Sequence, residues 1–306
     1  MFLSKGLVLT TAVTAFLLGQ SPSDQTEDPN FTLHASSQLV VLTVGVQDSR
    51  GMNIKGLTPQ DFKIYEDGRP QTIKQFAADE RPVTVGIVLD ASGSMRTNQR
   101  EVITAALDFV NASNPDDESF VVTFNDRAEL GLPSDTQFSG DAEQLRNALY
   151  GRVPEGKTAL YDALALAAEH LVKGKWENKV LLLISDGGDN NSTHTFNESV
   201  RALEMAGAAV YSIGLFDPNE PEHNLGLLRR LSKITGGESF APMDVSEVGS
   251  FCLKIAEDIR ASYILAYTPP QPDQHSASRK IKVVATSPAG GRLTIHARTT
   301  YILPER

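Results

Sequence analysis

Five residues of this 306-residue chain carry oxygen donors where a hydrophobic core has no use for them. The stretch "VTVGIVLDASGSM", Val83 to Met95, is an apolar run that ends in Asp90, Ser92 and Ser94. The stretch "GKTALYDAL" puts Thr158 at the start of a helical pattern, and "LLLISDGG" ends a second apolar run in Asp186. Two carboxylates and three hydroxyls, with no nitrogen or sulfur donor among them, suit a hard divalent cation: magnesium first, with manganese and calcium as alternatives. Gly93 and Gly187 beside them are expected to let backbone approach closely. Each piece alone has a plainer reading. A threonine before a helix is usually a cap, and "SDG" is a common turn. All three pieces together, on the ends of buried strands, point to a site.

The elements that must position these residues follow from periodicity. "VTVGIVLD" and "KVLLLISDGG" are continuous apolar runs, as in strands covered on both faces. Between and after them, "REVITAALDFVNAS", "DAEQLRNALY", "ALYDALALAAEHLVKG", "NESVRALEMAGAA", "HNLGLLRRLSKITGG" and "SEVGSFCLKIAEDIRAS" have helical spacing, while "SFVVTFND" and "AVYSIGLF" are further strands. This alternation predicts a doubly wound, mainly parallel sheet with helices on both faces. In such sheets ligands bind beyond the carboxyl ends of the strands, where Asp90 and Asp186 stand.

On both sides the chain reads as β. Val40, Leu42, Val44 and Val46 alternate strictly. Thr58-Pro59 starts a helical turn, and Asp67-Gly68 is the centre of a hairpin flanked by Phe62, Ile64, Ile73 and Phe76. After Ser262, "YILAYTPP", "SRKIKVVATS" and "GRLTIHARTTYIL" read as three strands. Neither β segment has enough core alone, so the two are expected to form one small sandwich with the α/β unit inserted between them. The expected organisation is a secretory signal over 1–21, a polar linker over 22–37, sandwich over 38–81, α/β domain over 82–261 and sandwich again over 262–306. The signal rests on Lys5 followed by the apolar run from Gly6 to Gly19, which is short for a membrane span. No second candidate span follows, so an exported protein, periplasmic or extracellular, is expected.

"DASGSM", "GKTALYDAL" and "LISDG" together resemble the von Willebrand factor type A domain. The resemblance implies a Rossmann-like fold and a metal-ion-dependent adhesion site formed by Asp90, Ser92, Ser94, Thr158 and Asp186, and no position departs from the family pattern. The flanks, "VQDSRGMNIKGLTPQDFKIYEDGRPQTIKQF" and "SYILAYTP" with "RKIKV", are similar to a von Willebrand A-related family described mainly from acidobacteria. That likeness implies an exported protein whose A domain sits within β segments. It also implies that an open metal position takes an aspartate or glutamate of a protein partner. Met95, Lys157, Asp189 and Asn190 are expected to form the rim around it.

Composition narrows the alternatives. Lys and Arg number 28 against 38 Asp and Glu, a net charge of -10, which argues against nucleic acid as partner. The single cysteine, Cys252, excludes an internal disulfide and reads as a buried, inert thiol. The six histidines show no triad-like grouping and read mostly as surface residues. No nucleophile elbow is present. The expectation is therefore a binding module rather than an enzyme, with a metal-assisted hydrolase, or a scaffold subunit of an envelope assembly, as the competing classes.

Overall fold

The computed structural model describes residues 39–78, 80–215, 224–270, 278–288 and 290–302. The expected signal and linker lie outside them, as do His34, His223 and His275. Strand β1 (Val40–Gln47) buries Val40, Leu42, Val44 and Val46 and leaves the residues between them half exposed, the alternation a one-sided sheet imposes. A single 3-10 turn at Pro59–Asp61, closed by a capping box between Thr58 and Asp61, leads into β2 (Phe62–Glu66). The hairpin to β3 (Arg69–Gln71) turns on Asp67 and Gly68, with φ of 48° and 80°, the paired left-handed conformation that a two-residue hairpin loop requires. Pro70 is accommodated because β3 is an edge strand. The strand expected to return from this hairpin as one piece is divided. β4 (Ile73–Ala77) leaves β2 and pairs with a strand of the other sheet.

The central layer begins with β5 (Thr84–Asp90), in which every residue is buried. The chain continues through α1 (Gln99–Ala112), β6 (Glu118–Phe124), β7 (Ala128–Leu130), α2 (Ala142–Leu149), α3 (Leu160–Leu171) and β8 (Lys179–Ser185). It then forms α4 (Phe196–Ala206), β9 (Ala208–Gly214), α5 (Leu225–Thr235), β10 (Ser239–Phe240) and α6 (Val248–Arg260). The sheet order is β10-β9-β8-β5-β6-β7, parallel except for the β6–β7 pair. Helix α1 packs beside α6, and α3 beside α4. The short edge strands β7 and β10 have no counterpart in the sequence reading. They are too short to carry a periodicity, and their place is set by neighbours. From β5 the chain runs outward to β6 and then returns past β5 to β8. Between β5 and β8 lies the switch point at which crevices open in folds of this kind.

After α6 the chain re-enters β structure with β11 (Tyr263–Tyr267) and β12 (Ser278–Ala285). The expected third strand is two, β13 (Thr294–His296) and β14 (Thr300–Ile302), one in each sheet. The two sheets, β13-β1-β11-β4 and β14-β12-β2-β3, both interleave N-terminal with C-terminal strands. Their shared core holds Leu42, Val44, Phe62, Ile64, Tyr263, Leu265, Tyr267 and Ile281. It also holds a polar knot. Glu66, 1% exposed, accepts from Arg279 Nη1 at 2.7 Å, from the Tyr267 hydroxyl at 2.7 Å and from the Tyr301 hydroxyl at 3.1 Å. The sandwich is tied to the α/β unit by the Thr43 hydroxyl to Asn178 Oδ1, 2.9 Å, and Asn53 Nδ2 to Asp258 Oδ1, 2.7 Å. Asn178 immediately precedes β8, so the sandwich is fastened at the edge where the parallel strands begin, away from Asp90 and Asp186 at their far ends.

Candidate metal centre

Strand register builds the site. Leu89 of β5 is level with Ile184 of β8, so the next residues, Asp90 and Ser185, leave the sheet side by side. The Ser185 hydroxyl donates to Asp90 Oδ2 at 2.6 Å, and the Ser92 amide donates to Asp90 Oδ1 at 2.8 Å. Ser94 donates from its hydroxyl to Asp186 Oδ2 at 2.8 Å and lies 3.1 Å from the Ser92 hydroxyl. Asp186 Oδ1 accepts from the Gly188 amide at 2.9 Å. The third segment is zipped on by backbone bonds. Glu155 N donates to Ala91 O and Gly93 N to Gly156 O on one side. Asn190 N and Asn191 N both donate to Thr158 O on the other. The residues named from sequence, Asp90, Ser92, Ser94, Thr158 and Asp186, therefore meet at one sheet edge.

The plain reading of Thr158 as a helix cap does not describe this structure. The position before α3 is Ala159, which has no side-chain cap. The first amides of α3 are satisfied from the neighbouring loop: Tyr161 N donates to Asp189 Oδ1 and Ser192 Oγ, and Asp162 N to Ser192 Oγ. The Thr158 hydroxyl takes no part in capping.

The four residues expected at the rim differ in exposure. Lys157 and Asn190 are exposed and Asp189 is half-buried. Asn190 clamps the threonine segment, its Oδ1 accepting from Thr158 N at 2.9 Å. Met95 is a correction. It is 2% exposed and belongs to the core under the site, because the short 3-10 helix Gly93–Thr97 turns it inward. Gly187 is required as glycine, with φ of 80° and Asn224 O only 2.6 Å from where a Cβ would stand. Gly93 is a second correction. A Cβ there would meet nothing closer than 3.6 Å, so close approach does not explain it.

The histidine reading is also corrected in part. His170 is buried, 5% exposed, packed at a tilt against Phe120 and Phe138. His194 is exposed but paired, its Nδ1 2.7 Å from Asp162 Oδ1. Asp162 also accepts from Thr193 N and His194 N and so orders the rim loop. Ser185 was missed by the sequence reading. Its only signal was a small polar residue inside an apolar run, in register with the end of β5. Cys252 is fully buried, and burial pushes its thiol up to about 12.

The electrostatics are unbalanced. Asp90 is 1% exposed, and burial, followed by repulsion from Asp186, raises its carboxyl to about 6 in spite of the Ser185 and Ser92 bonds. Among the described residues no cation pairs with either carboxylate. Nor is there, among them, a group of three or more His, Cys, Asp or Glu side chains placed to hold a metal ion by themselves. A pair of carboxylates crowded together, hydroxyl donors turned to them and no lysine or arginine supplied is a donor set that fits a hard divalent ion.

Comparison with known proteins agrees with this geometry. The von Willebrand factor type A domain family matches residues 85–188, a span that opens in β5 and closes just past Asp186. No curated protein matches the chain. Among solved structures, a von Willebrand factor type A protein from Catenulispora acidiphila is similar at 14% identity and TM-score 0.53, over 89% of this chain and 76% of its own. The structure of proximal thread matrix protein 1 from the mussel byssus, with a zinc-occupied MIDAS motif, is similar at 18% identity and TM-score 0.50, over 63% of this chain and 49% of that one. At these identities the likeness is one of fold. The family match itself is confined to residues 85–188, the stretch that resembles a von Willebrand factor type A domain.

Proposed function

We propose that the chain is an exported, metal-dependent binding module that captures an acidic group of a protein partner through a divalent cation, magnesium first. The observation that carries this reading is the buried carboxylate pair at the sheet edge, with hydroxyls beside it and, among the described residues, no cation to balance it. Asp90, Asp186, Ser92, Ser94 and Thr158 would hold the ion. Bound there, it would supply a positive charge that no described residue places at the carboxylates, with residual attraction for an anion because three of the five donors are neutral. Burying such a contact should make it a hot spot worth roughly 2 kcal/mol or more.

Recognition without turnover is the reading favoured for the same site. His194 is the rim histidine, and its imidazole is engaged by Asp162, with none of the cluster's hydroxyls bonded to it. A generic panel of phosphate and ester substrates should show no magnesium-dependent hydrolysis. The binding test is capture from the native envelope fraction in magnesium and in chelator, with the parent and Thr158→Ala. Capture lost in both the chelator and the variant supports the metal contact. Capture that survives both would move the partner surface elsewhere.

A further inference from the structure

A cleft of about 500 Å³ opens beside the metal loop, between the starts of α3, α4 and α5. Its walls include Tyr161, Thr195, Phe196, Asn224, Leu227 and Arg230. It shares a wall with the site. The Asn224 amide donates to Asp186 O at 2.9 Å, and Asn224 O is the group that forbids a side chain at position 187. Tyr161, from the opposite wall, donates its amide to Asp189 in the same loop.

Two features give this cleft a chemistry. Arg230 sits over Phe196, its guanidinium carbon 4.6 Å from the ring centroid, and Phe196 is braced edge-on by Tyr161 at 6.0 Å. An arginine held over an aromatic face is partly pre-organised, and its planar fork of donors suits a carboxylate. Among the described residues it has no carboxylate partner. Helix α5 carries no acidic residue; of its three cations Arg230 lines this cleft, while Arg229 and Lys233 line a separate pocket against Ile295 and His296. Glu198, the nearest acid of α4, is turned back to the Thr195 amide and hydroxyl, at 2.7 and 2.8 Å.

We infer that this cleft is a second anion subsite, in which Arg230, held on Phe196, takes a second acidic side chain of the partner whose first acid reaches the metal. The inference rests on the proposed function for its first contact and on the cleft alone for its second. The preferred partner is then a segment with two acidic residues at a fixed spacing. A single acid would fill the metal position and leave the arginine fork unused.

The test uses a displayed library of random linear peptides, selected on the full chain in magnesium, eluted with acid and then assayed both in magnesium and in chelator. Peptides selected by the parent should share two acidic positions at one spacing. Those selected by Arg230→Gln should keep one, and parent-selected peptides should bind this variant about tenfold more weakly, as expected for one charge-assisted contact. Phe196→Leu, which removes the platform and leaves the charge, should fall between. Arg230 is exposed, so Arg230→Gln should melt with the parent. Selected peptides with one acid, bound equally by Arg230→Gln, overturn the subsite. Binding that ignores chelator but still falls in Arg230→Gln keeps the subsite and removes the metal contact. Binding that ignores both overturns the two together.

Discussion

Glu66 in the sandwich and Asp90 in the α/β unit are equally dry, each 1% exposed, yet they are treated in opposite ways. Glu66 is neutralised from within: Arg279 pairs with one oxygen and the hydroxyls of Tyr267 and Tyr301 saturate the other. Burial, together with Glu66 itself, pushes both tyrosines far above their ordinary range, so both remain protonated donors. Asp90 receives one hydroxyl and one amide and faces a second carboxylate. The first arrangement is a closed account, with two N-terminal and C-terminal segments fastened by one charge set. The second leaves negative charge for something outside the chain to neutralise. A buried acid alone therefore does not mark a function; a buried acid whose counter-charge is missing does.

The comparison breaks most visibly if the closed cluster is opened. Arg279→Ala strands Glu66 without its cation and should cost about 3–5 kcal/mol, the usual range for half of a buried pair. Urea unfolding of the metal-free chain measures it. Glu66→Gln combined with Arg279→Leu should recover most of that loss, because neither partner is then left charged. A cost below about 1 kcal/mol for Arg279→Ala would mean that Glu66 is not dependent on its partner and would erase the contrast.

At the open cluster the same operation should have the opposite sign. Asp90→Asn removes a charge that nothing balances, so without metal it should stabilise the fold at neutral pH by about 1–3 kcal/mol. The sign follows from linkage. The folded carboxyl titrates at about 6 and the unfolded one near 3.8, so between those values the folded chain holds the extra proton. Stability therefore falls as pH rises through that window. Asp117, also raised to about 6 by burial, contributes a slope of the same sign that Asp90→Asn leaves in place. Melting temperature against pH in chelator should thus fall more steeply between pH 4 and 6 for the parent than for the variant. Magnesium should flatten the parent's curve and leave that of the variant unchanged. A variant less stable than the metal-free parent at pH 7 would contradict the reading.

Ser185 tests how far local hydrogen bonds soften that imbalance. Its hydroxyl donates to Asp90 and accepts from the Gly187 amide at 3.0 Å. Ser185→Ala removes both, leaves a buried amide without its acceptor, and should cost about 1–2 kcal/mol by urea unfolding. It should weaken magnesium binding only modestly in titration calorimetry, since in the proposed site Ser185 would hold a ligand and would not be one. Loss of all metal response would make it part of the coordinating set.

What could be read in the sequence divides along the same line. Long, strongly patterned elements were legible: β5 and β8 from unbroken apolar runs, β1 from alternation, the hairpin from Asp67-Gly68. So was the meeting of Asp90, Ser92, Ser94, Thr158 and Asp186, because strand ends in a parallel sheet converge by topology. The splitting of strands at Thr72 and between His296 and Thr300 was not, since sheet exchange depends on which partner strand is near and leaves no periodicity. Met95 was misplaced because a 3-10 turn rotates side chains differently from an extended loop. The counter-charge of Glu66 was invisible for a related reason. Arg279 is 213 residues away, and only the sandwich pairing brings it into contact.

The smallest effect on stability should come from the residue most diagnostic of the site. Thr158 is 7% exposed, and its neighbours already satisfy the helix that follows it: Asp189 and Ser192 cap α3, while Asn190 holds the Thr158 backbone from both its amide and its side chain. If the hydroxyl were structural, Thr158→Ala would cost about 1 kcal/mol, as the loss of an ordinary cap does. The capping here is done by others, so Thr158→Ala should stay within about 0.5 kcal/mol of the parent in urea. Its effect should appear in magnesium titration, as roughly a tenfold weaker affinity, equivalent to about 1.4 kcal/mol. Thr158→Ser, which keeps the oxygen and drops the methyl, should restore it. A destabilised variant with unchanged metal affinity would place Thr158 with the closed kind of cluster, where polar groups serve the fold. A stable variant with weakened affinity places it with the open kind.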